Sequence, residues 1–164
     1  MKLDAIDLRI LEAVQRNGRI TKVALAEEVG LSPTPCWMRL RRLEKAGIVS
    51  GYHASVAVRR LAPVASVMME VTLENHRQAD FDRFERAVAA IAEITACWSV
   101  GGGVDYILKI MAADIDAYQR LVDGMLDREI GIARYFTYIV TKTVKEETAL
   151  PLSVLFSAPK APNS

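Results

Sequence analysis

Three arginines within four positions, Arg39, Arg41 and Arg42, follow the Ser-Pro-Thr-Pro run Ser32–Pro35. Guanidinium groups bind phosphate oxygens and can pair bidentately with guanine. Ser32 is a residue type that caps helices. Pro33, at the first helical position, lacks an N–H that would have no partner there, and Pro35 still falls in the first turn. Cys36, Leu40 and Leu43 then recur at i, i+4 and i+7 as one apolar stripe. At about 100° per residue, Thr34, Met38, Arg41, Arg42 and Lys45 point away from that stripe, with Trp37 and Arg39 on its borders. One side packs, and the other offers cations, a hydroxyl and a flexible apolar contact, the division a helix needs to enter a major groove. Three arginines alone could be a solvated helix face. The SPTP start, inside a helix-turn-helix pattern, favours DNA contact. The candidate DNA-binding set is Ser32, Pro33, Thr34, Met38, Arg39, Arg41 and Arg42. Phosphate suits Arg39, and a thymine methyl suits Thr34 and Met38. Trp37 is read as an edge-packing residue.

A second cluster is Trp98, Val100, Gly101, Gly102, Gly103 and Asp105. Two glycines suffice for a hairpin turn. A third suggests close approach of backbone to a ligand or a neighbouring subunit. No Lys-Ser/Thr follows at Walker spacing, so this is not a phosphate loop. Asp105 can simply cap the turn, and Trp98 fits a core, an interface or a ligand wall. His53 and His76 have no carboxylate or Cys at ligand spacing, so no metal site is expected. Cys97 has no nearby His to activate it. Cys36 and Cys97 make neither a CxxC pair nor a disulfide framework. No catalytic residue and no cofactor is assigned.

The elements that must position these residues follow from pattern. Asp4 and Asp7 approximate a capping box, and Leu3, Ile6, Ile10, Leu11 and Val14 share one side of a first helix ended by Gly18. Thr21 caps a shorter helix carrying Val23, Leu25, Ala26 and Val29. Gly30 then supplies the left-handed turn of a helix-turn-helix. The third helix runs to Ala46, with Gly47 beyond it. Ile48–Val58 alternates like a short hairpin, completing a winged helix-turn-helix. Pro63 interrupts the pattern, so a domain boundary is expected after residue 60. Beyond it come strand Ala65–Leu73, helix Asp80–Ala92, strands Ile94–Val100 and Val104–Ala112, helix Ile115–Leu126 capped by Asp114, and strand Ile132–Val144. This β-α-β-β-α-β order is ferredoxin-like and makes the chain α+β. Such a sheet leaves one face bare, and a bare face bearing Met68, Met69 or Trp98 needs a partner, so a dimer is expected. The expected divisions are 1–60, 61–152 and a frayed tail at 153–164.

Charge supports the division. Residues 1–60 hold 11 Lys/Arg and 6 Asp/Glu, a net +5, whereas the remainder nets −4. Only the first part is suited to phosphates. No apolar run is as long as a membrane span, and the charged N-terminus is unlike a signal peptide, so a cytoplasmic location without membrane association is expected.

In order and at matching spacing, LDAIDLRILEAVQRNGR, LAEEVGLSPTPCWMRLRRLEKAGIVSGY, GGGVDYILKI and TYIVTKTVKEE resemble the leucine-responsive/asparagine-type (Lrp/AsnC, feast/famine) transcriptional regulators over Leu3–Leu152. The resemblance implies a DNA-binding N-terminal domain, a connecting strand and a ligand-sensing C-terminal domain that builds dimers and higher even oligomers. It also implies an amino-acid-like effector bound between dimers near Val100–Asp105, where the carboxylate of Asp105 suits an ammonium group. The chain departs from the family loop, Thr-Gly-x-Tyr/Phe-Asp, by losing a hydroxyl and an aromatic, so a different ligand, or none, fits the change. CWSVGGGVDY and IGIARYFTYIVTK resemble a subgroup associated with ectoine catabolism. Two other classes stay open: a constitutive DNA-organising protein that uses the second domain for assembly, and a small ferredoxin-like enzyme.

Overall fold

The computed structural model describes residues 2–147 and 149–156. The chain forms two compact units. One runs to Ser55 and takes in the described residues from Lys145 to Phe156, and the other is Val56–Val144. The division thus falls inside the segment read as a wing. The chain rejoins the first unit before residue 153, and 157–164 of the expected tail lie outside the described residues.

In the first unit, α1 (Ala5–Arg16) starts at a true capping box. The carboxylate of Asp4 accepts from Ile6 N at 3.0 Å and Asp7 N at 2.9 Å, and Asp7 accepts from Asp4 N at 3.2 Å. Thr21 caps α2 (Lys22–Val29) through Ala24 N, and Gly30 at φ 70° turns the chain into α3 (Pro33–Lys45). Ser32 holds the N-cap position of α3, yet its hydroxyl makes no capping bond. Pro35 stands where the N3 N–H would be, so one of the two usual donors is missing. Ile10, Leu11, Val14, Leu25, Ala26, Val29, Cys36, Leu40 and Leu43 close one core. Val23, expected on the inner side of α2, is 55% exposed. On an α-helix it lies well off the arc shared by Leu25, Ala26 and Val29. Farther along, α6 (Leu152–Leu155) lies against α1. Gln15 both donates to Leu150 O and accepts from Leu150 N, and Glu12 accepts from Ser153 N at 2.8 Å.

Asp7 ties α1 to α3. It is fully buried, and its carboxylate accepts from Arg39 Nη1 at 2.9 Å and Arg42 Nη2 at 2.7 Å. Arg39 also reaches Asp4 at 2.6 Å. A buried carboxylate is tolerable only when paired and hydrogen-bonded in this way.

The expected hairpin over Ile48–Val58 does not form: no strand occurs there, and the segment ends in a 3-10 turn, Val58–Arg60. A strand needs a ladder partner and a covered face. Val49 packs on the first core, whereas Val56 is 61% exposed.

The second unit is a four-stranded antiparallel sheet in the order β2-β3-β1-β4, built from β1 (Ala65–Leu73), β2 (Ile94–Ser99), β3 (Tyr106–Ala112) and β4 (Ile132–Ile139). This is the expected ferredoxin-like order. The helices α4 (Gln78–Ala89) and α5 (Ile115–Asp127) cover one face. Val67, Met69, Val71 and Leu73 of β1, with Tyr106, Leu108 and Ile110 of β3, meet Phe84, Val88, Tyr118, Val122 and Met125 there. Met69 was expected on the bare face and is instead in this core. The period of two sends Met68, Glu70 and Thr72 to the open side. In register with them lie Tyr138, Phe136 and Arg134, and Trp98 lies opposite Ile107. β4 stops at Ile139, short of the expected Val144; β1 begins at Ala65, so by the register it offers no partner beyond Thr141.

Two outcomes follow for the first unit. Asp7→Ala should destabilise it by about 2–3 kcal/mol, read by urea unfolding. Arg39 holds the carboxyl of Asp4 below its ordinary value of 3.8. A lowered folded pKa adds stability that is present above 3.8 and lost as pH falls through the folded value. Acid unfolding monitored by circular dichroism should therefore be less steep below pH 3.8 in Asp4→Asn than in the wild type.

Candidate nucleic-acid interface and effector loop

The outward side of α3 presents Thr34, Met38, Arg41, Arg42 and Lys45, all exposed, with Ser32 and Pro33 exposed at its start. Met38 stands 67% exposed, far more than packing requires. The three arginines are not equivalent. Arg39 is half-buried in its pairs with Asp4 and Asp7, an internal task where phosphate contact was expected. Arg42 shares Asp7 yet keeps its side chain 49% exposed. Arg41 is the most open and pairs with Glu44 at 3.1 Å. Glu44 also accepts from the Tyr52 hydroxyl at 2.9 Å. Burial, then this carboxylate, push the Tyr52 phenol up to about 12, so it stays a donor. Trp37 packs on the core as expected, but its ring also faces two cations, Lys22 and Arg41. Sequence reasoning missed Asp7, read only as half of a capping box, and Lys22. The signal for Lys22 was present: a cation at the positive end of a helix is out of place electrostatically.

The loop between β2 and β3 is fixed at both ends. Val100 N donates to Asp105 O at 3.0 Å, and Asp105 N donates to Val71 O at 2.9 Å. The Asp105 carboxylate accepts from Leu73 N at 2.8 Å, and His76 Nε2 lies 3.0 and 3.2 Å from its two oxygens. Asp105 therefore does close its own turn through its backbone carbonyl, and its carboxylate caps the end of β1 as well. His76, set aside as a metal ligand, joins this site through a contact between residues 29 apart in sequence. Gly102 has φ +143°, which a side chain rarely adopts. Gly101 and Gly103 have no such need, and a Cβ on either would meet nothing within 4 Å. The loop leaves open space beside exposed backbone. Val100 is half-buried, and Trp98, 48% exposed, belongs to the open sheet face. At the base of the loop, the Tyr106 hydroxyl donates to Glu85 at 2.7 Å.

Burial pushes the thiols of Cys36 and Cys97 up, which keeps both protonated and weakly nucleophilic. Among the described residues no three His, Cys, Asp or Glu side chains gather as metal ligands, and no helix is long and apolar enough to cross a membrane.

Both parts of the chain match known families. Residues 3–50 match a winged helix-turn-helix DNA-binding model, and residues 66–150 match the Lrp/AsnC ligand-binding domain. The transcriptional regulatory protein DoeX of Halomonas elongata is 52% identical over 149 residues, covering 91% of this chain and 94% of that one. The leucine-responsive regulatory protein of Haemophilus influenzae is 41% identical over 150 residues, covering 92% and 90%. A transcriptional regulator from Neisseria meningitidis, solved as its L-Met complex, superposes with a TM-score of 0.88 at 33% identity, covering 94% of this chain and 99% of that one. With a DNA-binding helix-turn-helix at its N-terminus and a ligand-binding domain after it, the chain belongs to the Lrp/AsnC family of transcriptional regulators.

Proposed function

We infer that this regulator reads a palindromic operator through α3 and that a small amino-acid-like effector at the Val100–Asp105 loop sets its occupancy. The observation that carries the DNA half is the division of α3. Cys36, Leu40 and Leu43 are buried, whereas Thr34, Met38, Arg41 and Lys45 are exposed. Thr34 and Met38 offer base contacts, and Arg41 and Arg42 offer phosphate or guanine contacts. Ser32 and Pro33 start the helix beside the backbone. Arg39 acts from within, holding the helix to α1. Dimerisation accounts for the open sheet face, where Trp98, Phe136 and Tyr138 are each about half exposed. Dimers that associate further would give even-numbered oligomers. In a dimer, two copies of α3 about 34 Å apart match half-sites one helical turn apart.

The effector half rests on the open glycine loop beside Asp105. A carboxylate has about four lone-pair positions. Leu73 N and His76 leave room for a ligand ammonium. The L-Met complex of the Neisseria relative supports an amino-acid class. The CWSVGGGVDY and IGIARYFTYIVTK segments add ectoine-derived diamino acids to the compounds worth testing. The protein works by saturable binding in the cytoplasm rather than by turnover.

Fluorescence anisotropy with DNA from the protein's own upstream region tests both halves. Binding should weaken steeply as salt rises from about 50 to 200 mM. Arg41→Ala should cost about 1–3 kcal/mol of affinity and, if Arg41 grips phosphate, lower the salt slope by about 1. One amino acid or diamino acid should shift operator binding in the wild type, and Asp105→Asn should blunt that shift while leaving ligand-free DNA binding intact. Tight binding that ignores every compound would favour a constitutive DNA-organising role. Absence of any preference for that DNA would sink the docking assignment of α3.

A further inference from the structure

Trp37 does more than pack. Lys22 Nζ lies 3.8 Å from its ring centroid, and Arg41 Cζ lies 5.4 Å from it. Both are within the roughly 6 Å over which an aromatic face attracts a cation. Lys22 is the first residue of α2, and Arg41 lies in the second half of α3. One indole therefore gathers a cation from each helix of the helix-turn-helix. Helix stability does not explain Lys22. The first turn of α2 holds no acidic residue, and the partial positive charge of a helix N-terminus repels an ammonium. Its described contact is the ring.

We propose that Trp37 is a positioning residue for DNA binding, holding Lys22 and Arg41 as a pre-ordered pair of cations that grip the phosphate backbone beside the bases read by α3. This rests on the docking face assigned to α3 above. The physical reason is entropy. Lys and Arg are among the most flexible side chains, and gripping a phosphate immobilises them. A ring that already restricts both leaves less freedom to lose when DNA arrives. The contacts are compatible with that grip, because an ammonium has three N–H donors and a guanidinium five, and the ring occupies only one side of each. In helix-turn-helix complexes the first helix of the pair crosses the backbone while the second enters the groove, so cations on both helices meet phosphate. Glu44 competes for Arg41 at 3.1 Å, and the Tyr52 hydroxyl also engages that carboxylate.

A mutant cycle on the full-length protein tests this, reading equilibrium binding to duplex DNA from its own upstream region at low salt and thermal unfolding in parallel. Trp37→Leu keeps an apolar side chain but removes the π face, and should weaken binding about five- to tenfold. Trp37→Phe keeps a ring and should restore most of that loss. With Lys22→Met and Arg41→Met both present, adding Trp37→Leu should change binding by less than about twofold, since the ring then has nothing to position. A merely structural tryptophan would give the same loss in both backgrounds, and that additive result would overturn the proposal. So would a Trp37→Phe variant as weak as Trp37→Leu. If Trp37→Leu loses cooperative unfolding, Trp37→Met, which also lacks a π face but fills more of the space, takes its place in the same cycle: coupling upholds the positioning role, and additivity ends it. Wild-type protein that fails to bind overturns the docking face and this role together. Wild-type binding with additive losses overturns only this role.

Discussion

The first unit depends on one buried charge. Asp7 sits fully inside, and removing a carboxylate from water costs several kcal/mol unless donors replace the lost hydration. Here Arg39, Arg42 and the Asp4 N–H supply them. The donors come from the start of α1 and from the middle and last turn of α3, so the network fixes the angle between those helices as well as satisfying the charge. It also divides the labour of α3. Arg39 is committed to the interior and Arg42 is shared, which leaves Arg41 and Lys45 as the cations facing outward without an Asp7 contact. The three arginines of α3 thus differ in what their charges do.

Asp105 has a parallel place in the second unit. Its carboxylate accepts from Leu73 N at the end of β1 and meets His76 just beyond, so the glycine loop is anchored at its base while its tip stays open. Anchoring and openness are both needed in a ligand site: a rigid base orients polar groups, and the absent side chains leave volume. The same carboxylate that orders the loop is thus half-occupied before any ligand arrives. Under the proposed effector site, this narrows the ligand chemistry to groups that can share the carboxylate with an imidazole or displace one.

What could be read from sequence was local. Caps at Asp4, Thr21 and Asp114, the turn at Gly30, the stripe of Cys36, Leu40 and Leu43, and the strand order all depend on residues within a turn or a few positions of one another. The structure bears them out. The uncapped Ser32 and the outward Val23 were local misreadings, whereas the other failures each needed a distant partner. Asp7 and Arg39 are 32 residues apart, so their ion pair has no periodic signature. The alternation in Ile48–Val58 promised a hairpin, but alternation makes a strand only where a ladder receives it. β1 offers β4 no partner beyond Thr141, so the β-branched residues that run on to Val144 have no ladder there. Met69 and Met68 look alike in sequence, and only the register tells which of them enters the core. The outward face of α3, proposed above to meet DNA, was legible as a surface, since its exposed residues match the helical wheel. The division of tasks among its arginines was not.

That division bears on why the sheet keeps an open aromatic face. With Arg39 turned inward and Arg42 shared, one copy of α3 brings few cations to a duplex, and few cations release few counterions. A single unit would therefore hold DNA weakly. Joining two copies makes the second contact intramolecular, at an effective concentration set by the link rather than by the bulk, and avidity then rises by orders of magnitude with no added charge. Trp98, Phe136 and Tyr138, half exposed beside Met68, lie on the face proposed above for association of copies. On this account DNA affinity resides in assembly more than in any one helix. A ligand that alters assembly can then change operator occupancy without touching a residue that meets DNA, and by reciprocity DNA must alter ligand affinity by the same factor.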